Sequence, residues 1–215
     1  MPALERMIQR DKNHPCVIIW SMCNESQTAN EIGIRVMRKL IRRAKELDSS
    51  RLVTYVIPPR ESKPERAFEE ADLVAVNVHQ GSLSGKIADH VSQLEELMTK
   101  PSEENIRRQL AAWPDKPLLI TEFGTRGVPG IHGDVSYSED FQAACIQATW
   151  KAMQNCGEAS GGILWCWADY YHRRALTQYA VFGPYGVVTV DRRPKAALEA
   201  LSKMYGGSAK DLQSR

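Results

Sequence analysis

The sequence lacks a strong charge of either sign. Its 28 Lys and Arg against 26 Asp and Glu leave a net charge of +2 over 215 residues. Composition therefore gives no pull towards nucleic acid or an anionic membrane. No apolar run approaches the roughly 20 residues that a membrane helix needs. The amphipathic stretch at residues 2–10 reads as the end of a helix, and no signal peptide is expected. A cytoplasmic protein with no membrane and no nucleic-acid partner is expected. There is no Cys-x-x-Cys, and the five cysteines (Cys16, Cys23, Cys145, Cys156, Cys166) are an odd number. They are expected to be reduced thiols buried as small hydrophobes. No Gly-x-Gly-x-x-Gly follows an apolar run, which argues against a dinucleotide fold. His132-Gly-Asp134 has a loose metal-like spacing but no second ligand cluster beside it, so neither a metal nor a cofactor is expected.

What is present is an alternation of strand-like and helix-like segments. Apolar, β-branched runs at residues 17–20, 52–57, 73–78, 118–121 and 162–167 predict buried strands. Thr28-x-x-Glu31 predicts a capped helix to Leu47, with Ile32, Val36, Leu40, Ile41, Ala44 and Leu47 on its inner face. Arg35, Arg38, Lys39, Arg42, Arg43 and Lys45 then fall on its solvated side. A short helix is expected around residues 65–70, and helix potential runs through 87–98 and 103–112. Ser136-x-x-Glu139 predicts a long helix to about Asn155, closed by Gly157. Residues 179–189 are glycine-rich, and a last helix follows from Pro194. Continuously apolar strands between helices mean a parallel α/β sheet, either doubly wound or part of a barrel.

Two glutamates end such runs. Glu25 closes Cys16-Val-Ile-Ile-Trp-Ser-Met-Cys-Asn-Glu25, and Glu122 closes Pro117-Leu-Leu-Ile-Thr-Glu122. A carboxylate at the end of a buried strand needs a partner or a task. Two at C-terminal strand ends suit glycosidic cleavage, which takes one carboxyl as acid and a second as nucleophile or base. Two unrelated glutamates, each paired with an arginine, would give the same pattern. Asn24 adds an amide suited to a sugar hydroxyl. Trp165 adds an indole of the kind that stacks on a sugar ring, though core packing would also explain it.

Here the sequence resembles a known family. Arg10-Asp-Lys-Asn-His-Pro15 followed by the run to Asn24-Glu25 looks like the acid/base signature of glycoside hydrolase family 2, which holds β-galactosidases, β-glucuronidases and β-mannosidases. Ile120-Thr-Glu-Phe-Gly124 is similar to its nucleophile motif, and Gly161-Gly-Ile-Leu-Trp-Cys-Trp-Ala-Asp169 to its last barrel strand. Gly186-Val-Val-Thr-Val-Asp-Arg-Arg-Pro-Lys195 is similar to its barrel-closing segment. The resemblance implies a (β/α)8 TIM barrel, of which residues 1–207 would form the second half, strands four to eight, with 208–215 a frayed tail. It implies a retaining β-glycosidase acting through a covalent glycosyl-enzyme, with Glu25 as acid/base and Glu122 as nucleophile. Asn24, His79 and Trp165 would bind substrate, His79 standing where the family carries a tyrosine beside the nucleophile. The β-glucuronidases' Asn-x-Lys is missing, since this chain reads Phe182-Gly-Pro-Tyr-Gly186 there. A neutral substrate, a β-galactoside, is expected. A homo-oligomer or a missing first half would complete the barrel. The rival reading is a non-catalytic half-barrel: a carbohydrate-binding remnant or a subunit completed by another chain.

Overall fold

The computed structural model describes residues 1–58, 66–171 and 181–213, with side chains described to residue 206. Five strands lie parallel in one sheet: β1 (Ile19–Asn24), β2 (Leu52–Ile57), β3 (Val74–Val78), β4 (Leu118–Phe123) and β5 (Ala159–Leu164). Their order in the sheet is their order in the chain. A doubly wound sheet reverses direction at a switch point. This one does not, so the fold is a partial TIM barrel. Helices α1 (Pro2–Asp11), α2 (Glu31–Leu47), α3 (Lys100–Ala112), α4 (Glu139–Cys156) and α5 (Ala196–Gln213) flank it. A two-stranded antiparallel ribbon pairs β6 (Tyr170–Tyr171) with β7 (Phe182–Gly183).

Burial follows position in the sheet. Every residue of β3, and all but Leu52 of β2, is buried, as central strands covered on both faces must be. The edge strands β1 and β5 are only partly covered, with Ile163 about half exposed. The main core packs Ile34, Met37, Ile41 and Ala44 of α2 against Val53, Tyr55 and Ile57 of β2, and Tyr55 stacks on Phe68 at 4.3 Å.

The inner face of α2 therefore differs from the expected one. Ile41 and Ala44 are on it, but Ile32 and Val36 are exposed. Both stripes are apolar, and the register against β2 selects between them. The cap also sits further along, at Asn30, whose side chain accepts from Gly33 N at 2.9 Å. Ser138, not Ser136, caps α4 by accepting from Phe141 N at 2.9 Å, and Gly157 closes that helix with a φ of 72°. Residues 91–112 are a short 3-10 turn, a π segment (Glu95–Thr99) and α3 rather than two plain helices. The helix expected at 65–70 is only a 3-10 turn over Arg66–Glu69, and Glu65 lies outside the described residues. The outer side of α2 is ion-paired, Arg42 with Glu70, Arg43 with Glu5 and Glu46, and Lys45 with Asp72. All five cysteines are free thiols, but only Cys145 and Cys156 are buried, and Cys16 is exposed. Burial pushes the Cys145 thiol well up, so it is no thiolate nucleophile.

At the N-terminal end of the strands, Asp48 ties three elements together. Its carboxylate accepts from Trp20 Nε1 at 2.9 Å, from the Ser50 hydroxyl at 2.6 Å and from Arg51 at 2.8 Å. Those bonds hold the acid well below the usual carboxylate range. Asp48→Ala strands a buried indole N–H and a largely covered guanidinium. A loss of about 3 kcal/mol is expected, read as a melting temperature lower by about 6–10 °C at neutral pH. Because the folded value is depressed, this contribution is present above the unfolded carboxylate pKa of about 3.9. It fades as pH falls through the lower folded value, so parent and variant melts should converge in acid.

Candidate active site

The C-terminal ends of the parallel strands carry the two glutamates on one edge of the sheet. Glu25 follows β1 directly, and its backbone N–H still bonds Val56 O at 3.0 Å. Its φ of 50° is left-handed, a conformation that side chains other than glycine's rarely take. This turns the chain out of the strand at the carboxylate itself. Glu122 lies within β4, paired in register with Asn77 of β3.

Asn77 joins the two halves of the site. It is fully buried in an apolar strand. Its amide nitrogen donates to Glu25 Oε1 at 2.8 Å and to Asn24 Oδ1 at 3.1 Å. Its oxygen accepts from Thr121 at 2.9 Å, the residue beside Glu122. Both amide hydrogens and the amide oxygen are thus bonded to residues of the carboxylate-bearing segments, as a buried amide requires.

His79, also buried, reaches Glu122 Oε2 from Nε2 at 3.3 Å and the Gly124 carbonyl from Nδ1 at 3.3 Å. A carbonyl only accepts, so Nδ1 carries the proton, and Nε2 donates to the carboxylate when the ring is doubly protonated. Gly124 has a φ of 120°, and a Cβ there would meet the Trp165 carbonyl at 3.0 Å. The glycine is what lets the two loops touch behind the glutamate.

Trp165 stands just past β5, still bonded through its N–H to Phe123 O at 2.9 Å, and the residue is 38% exposed. The Trp165–Cys166 peptide is cis. Tyr170 meets the Trp165 ring edge-on at 6.1 Å and stacks on Tyr185 at 6.1 Å. Burial raises the Tyr170 phenol, and the negative Glu122 nearby adds to that. Behind this wall, Asp169 and Lys195 form a fully buried ion pair at 3.2 Å, and Asp169 also accepts from Gly186 N at 2.7 Å. Burial raises the acid and lowers the amine, while each partner's charge opposes the shift. The pair fixes the segment that carries Tyr185.

All five residues singled out in the sequence, Asn24, Glu25, His79, Glu122 and Trp165, therefore stand at strand ends on this one edge. Glu25 and Asn24 are exposed here, so the described residues alone do not enclose them. Asn77 and Tyr185 were not singled out. An asparagine inside Val74-Ala-Val-Asn-Val78 was the available signal, because a lone amide in a buried strand must be bonded to something.

Comparison with known proteins agrees with this geometry. The family model for glycosyl hydrolases family 2, TIM barrel domain, matches residues 1–209. A β-glucuronidase of Paenibacillus borealis is 29% identical over 208 residues, covering 94% of this chain and 33% of its own length. The β-glucuronidase of Sus scrofa is 27% identical, covering 95% of this chain and 31% of its own. Among solved structures, the Ruminococcus gnavus β-glucuronidase in complex with D-glucaro 1,5-lactone superposes with a TM-score of 0.81 at 26% identity. It covers 94% of this chain and 35% of that one. The chain spans about a third of the length of the curated relatives it matches.

Proposed function

Because the chain belongs to glycosyl hydrolase family 2, we propose that it carries the two catalytic carboxylates of a retaining β-glycosidase. The observation that supports this most is the shared edge: Glu25 and Glu122 end parallel strands and are tied to one another through Asn77. In this reading a Glu122 oxygen attacks the anomeric carbon from the face opposite the leaving group. Glu25 passes its proton to the departing glycosidic oxygen as that bond breaks. The product is an alcohol and an ester between the sugar and Glu122. Glu25, now a carboxylate, takes a proton from water. The hydroxide so formed attacks the anomeric carbon, Glu122 leaves, and the starting configuration returns.

The neighbours have tasks in the same scheme. His79, when doubly protonated, donates from Nε2 to the Glu122 carboxylate through the 3.3 Å contact. Asn24 accepts from Asn77 and keeps its own amide hydrogens for a sugar hydroxyl. The partly exposed Trp165 ring supplies a stacking face. The substrate reading shifts with the relatives. The missing Asn-x-Lys pointed to a β-galactoside, yet the similar proteins carry the name β-glucuronidase. The two sugars differ at C6, hydroxymethyl against carboxylate, and a β-glucuronide is the reading now favoured.

The test uses the protein as its gene encodes it. Proton NMR of aryl β-glycoside hydrolysis is expected to show the β-anomer first, with the α-anomer growing only by mutarotation. An α-anomer first would sink the retaining mechanism. No hydrolysis of any aryl β-glycoside would favour the non-catalytic half-barrel.

A further inference from the structure

Arg126 lies four residues past Glu122, in the loop that leaves β4 at the catalytic edge. Exposed loop arginines ordinarily reach into water or pair with an acid. Arg193 here does the latter, against Asp191 at 2.7 Å. Arg126 instead folds back onto two aromatic rings. Its Nε donates to the Tyr185 hydroxyl at 2.8 Å. Its guanidinium carbon sits 5.7 Å from the Tyr137 ring centre and 5.4 Å from that of Tyr185. Both distances are within the roughly 6 Å range of cation–π attraction. Among the described residues, no carboxylate pairs with it.

The cradle rests on fixed backbone. Gly127 N bonds Pro184 O at 2.7 Å, which staples the Arg126 loop to the Tyr185 segment. The buried Gln142 amide lies 3.0 Å from Thr125 O and 3.2 Å from Tyr185 O, crossing the same seam. Tyr185 O also accepts from Cys166 N at 3.2 Å, next to Trp165. From Arg126 the ring contacts run through Tyr185 and Tyr170 to Trp165, beside Glu122. The charge thus borders the same aromatic wall that would hold a sugar. With Nε spent on Tyr185, the two terminal nitrogens remain as a planar fork, which matches a carboxylate in two-point contact.

We propose that Arg126 is the specificity-determining cation of this site, reading the carboxylate of a β-linked uronic acid seated against Trp165 and Tyr170. This rests on the glycosidase reading and adds to it the group that selects the sugar. Phe182-Gly-Pro-Tyr-Gly186 has no lysine to offer. It supplies instead the Tyr185 hydroxyl and ring that hold the arginine.

The test compares kcat/KM of the encoded protein and of Arg126→Gln and Arg126→Lys on 4-nitrophenyl β-glucuronide, 4-nitrophenyl β-galactoside and 4-carboxyphenyl β-glucoside. The glucuronide-to-galactoside ratio is expected to fall by about 10–100-fold in the glutamine variant. The loss should appear mainly in KM, with part of it regained by lysine. An unchanged ratio, with the parent active, overturns the Arg126 assignment and leaves the glycosidase reading standing. A loss confined to the carboxyphenyl glucoside overturns it too, because the cation would then face the leaving group. No turnover of any of the three by the parent overturns the glycosidase reading and this assignment with it. If Arg126→Gln melts far below the parent, the Arg126→Lys ratio and its KM decide.

Discussion

Glu122→Ala is expected to lower turnover of an aryl β-glycoside by about ten-thousand-fold or more, the scale on which removal of a covalent nucleophile acts. The reason is specific to the two-step route. Without the carboxylate no ester forms, and water would have to attack in the space the side chain leaves, with no base on that side. The His79–Gly124 contact and the Asn77–Thr121 bond do not use the Glu122 side chain. Alanine should therefore remove the reacting oxygen without disturbing β4, and the melting temperature should stay close to the parent's. Added azide fits the vacated space and needs no base. It should restore turnover of activated substrates and yield the α-glycosyl azide, inverted relative to the substrate. A variant that kept parental turnover would show that Glu122 is not the nucleophile.

Three strands of this fold, β2, β3 and β4, were legible as short apolar runs, whereas β1 starts two residues later than the run at 17–20 and β5 three residues earlier than that at 162–167. Residues 52–57 gave β2 to the residue. Helix faces were less legible. In α2 apolar residues occupy two adjacent stripes, and only contact with Val53, Tyr55 and Ile57 selects Ile34 and Met37 over Ile32 and Val36. Caps slipped for a related reason. Thr28 and Ser136 have the right chemistry, but their hydroxyls bond Ser26 O and Ala88 O instead. Asn30 and Ser138 sit where the helix N–H groups begin.

The site divides in the same way. Glu25, Asn24, Glu122, His79 and Trp165 stand at strand ends, where residue type and strand position suffice to nominate them. Arg126 and Tyr185 belong to loops, and Tyr170 to the short β6 ribbon. Their placement depends on tertiary bonds such as Gly127 to Pro184 and Asp169 to Gly186, which no local pattern encodes. The uronate-reading lysine was sought at one sequence position. The cation that the fold offers comes from another loop altogether, more than fifty residues earlier in the chain and brought to the same place by those bonds.

Glu25→Ala should behave differently from Glu122→Ala, and the difference identifies the acid/base. In the proposed scheme Glu25 serves both steps but is not equally needed in each. A good leaving group such as dinitrophenolate departs without a proton, so glycosyl-enzyme formation from that substrate should survive. The second step still lacks its base and should slow by about 100- to 10,000-fold, the usual span of general acid–base assistance. Formation then outruns breakdown. The ester on Glu122 accumulates, KM falls with kcat, and a burst of one equivalent of phenolate precedes a slow steady state. Alkyl glycosides, whose leaving groups need the proton, should lose the first step as well. Azide again separates the roles. Here it attacks the intermediate from the face that Glu25 guards and should give the β-glycosyl azide, the opposite anomer to that expected from Glu122→Ala. Asn77 keeps Asn24 as a partner in the variant, so the strand ends should remain aligned. The same anomer from both variants would rule out the assigned pair of roles, because two carboxylates on opposite faces of one sugar cannot be replaced by azide on one face.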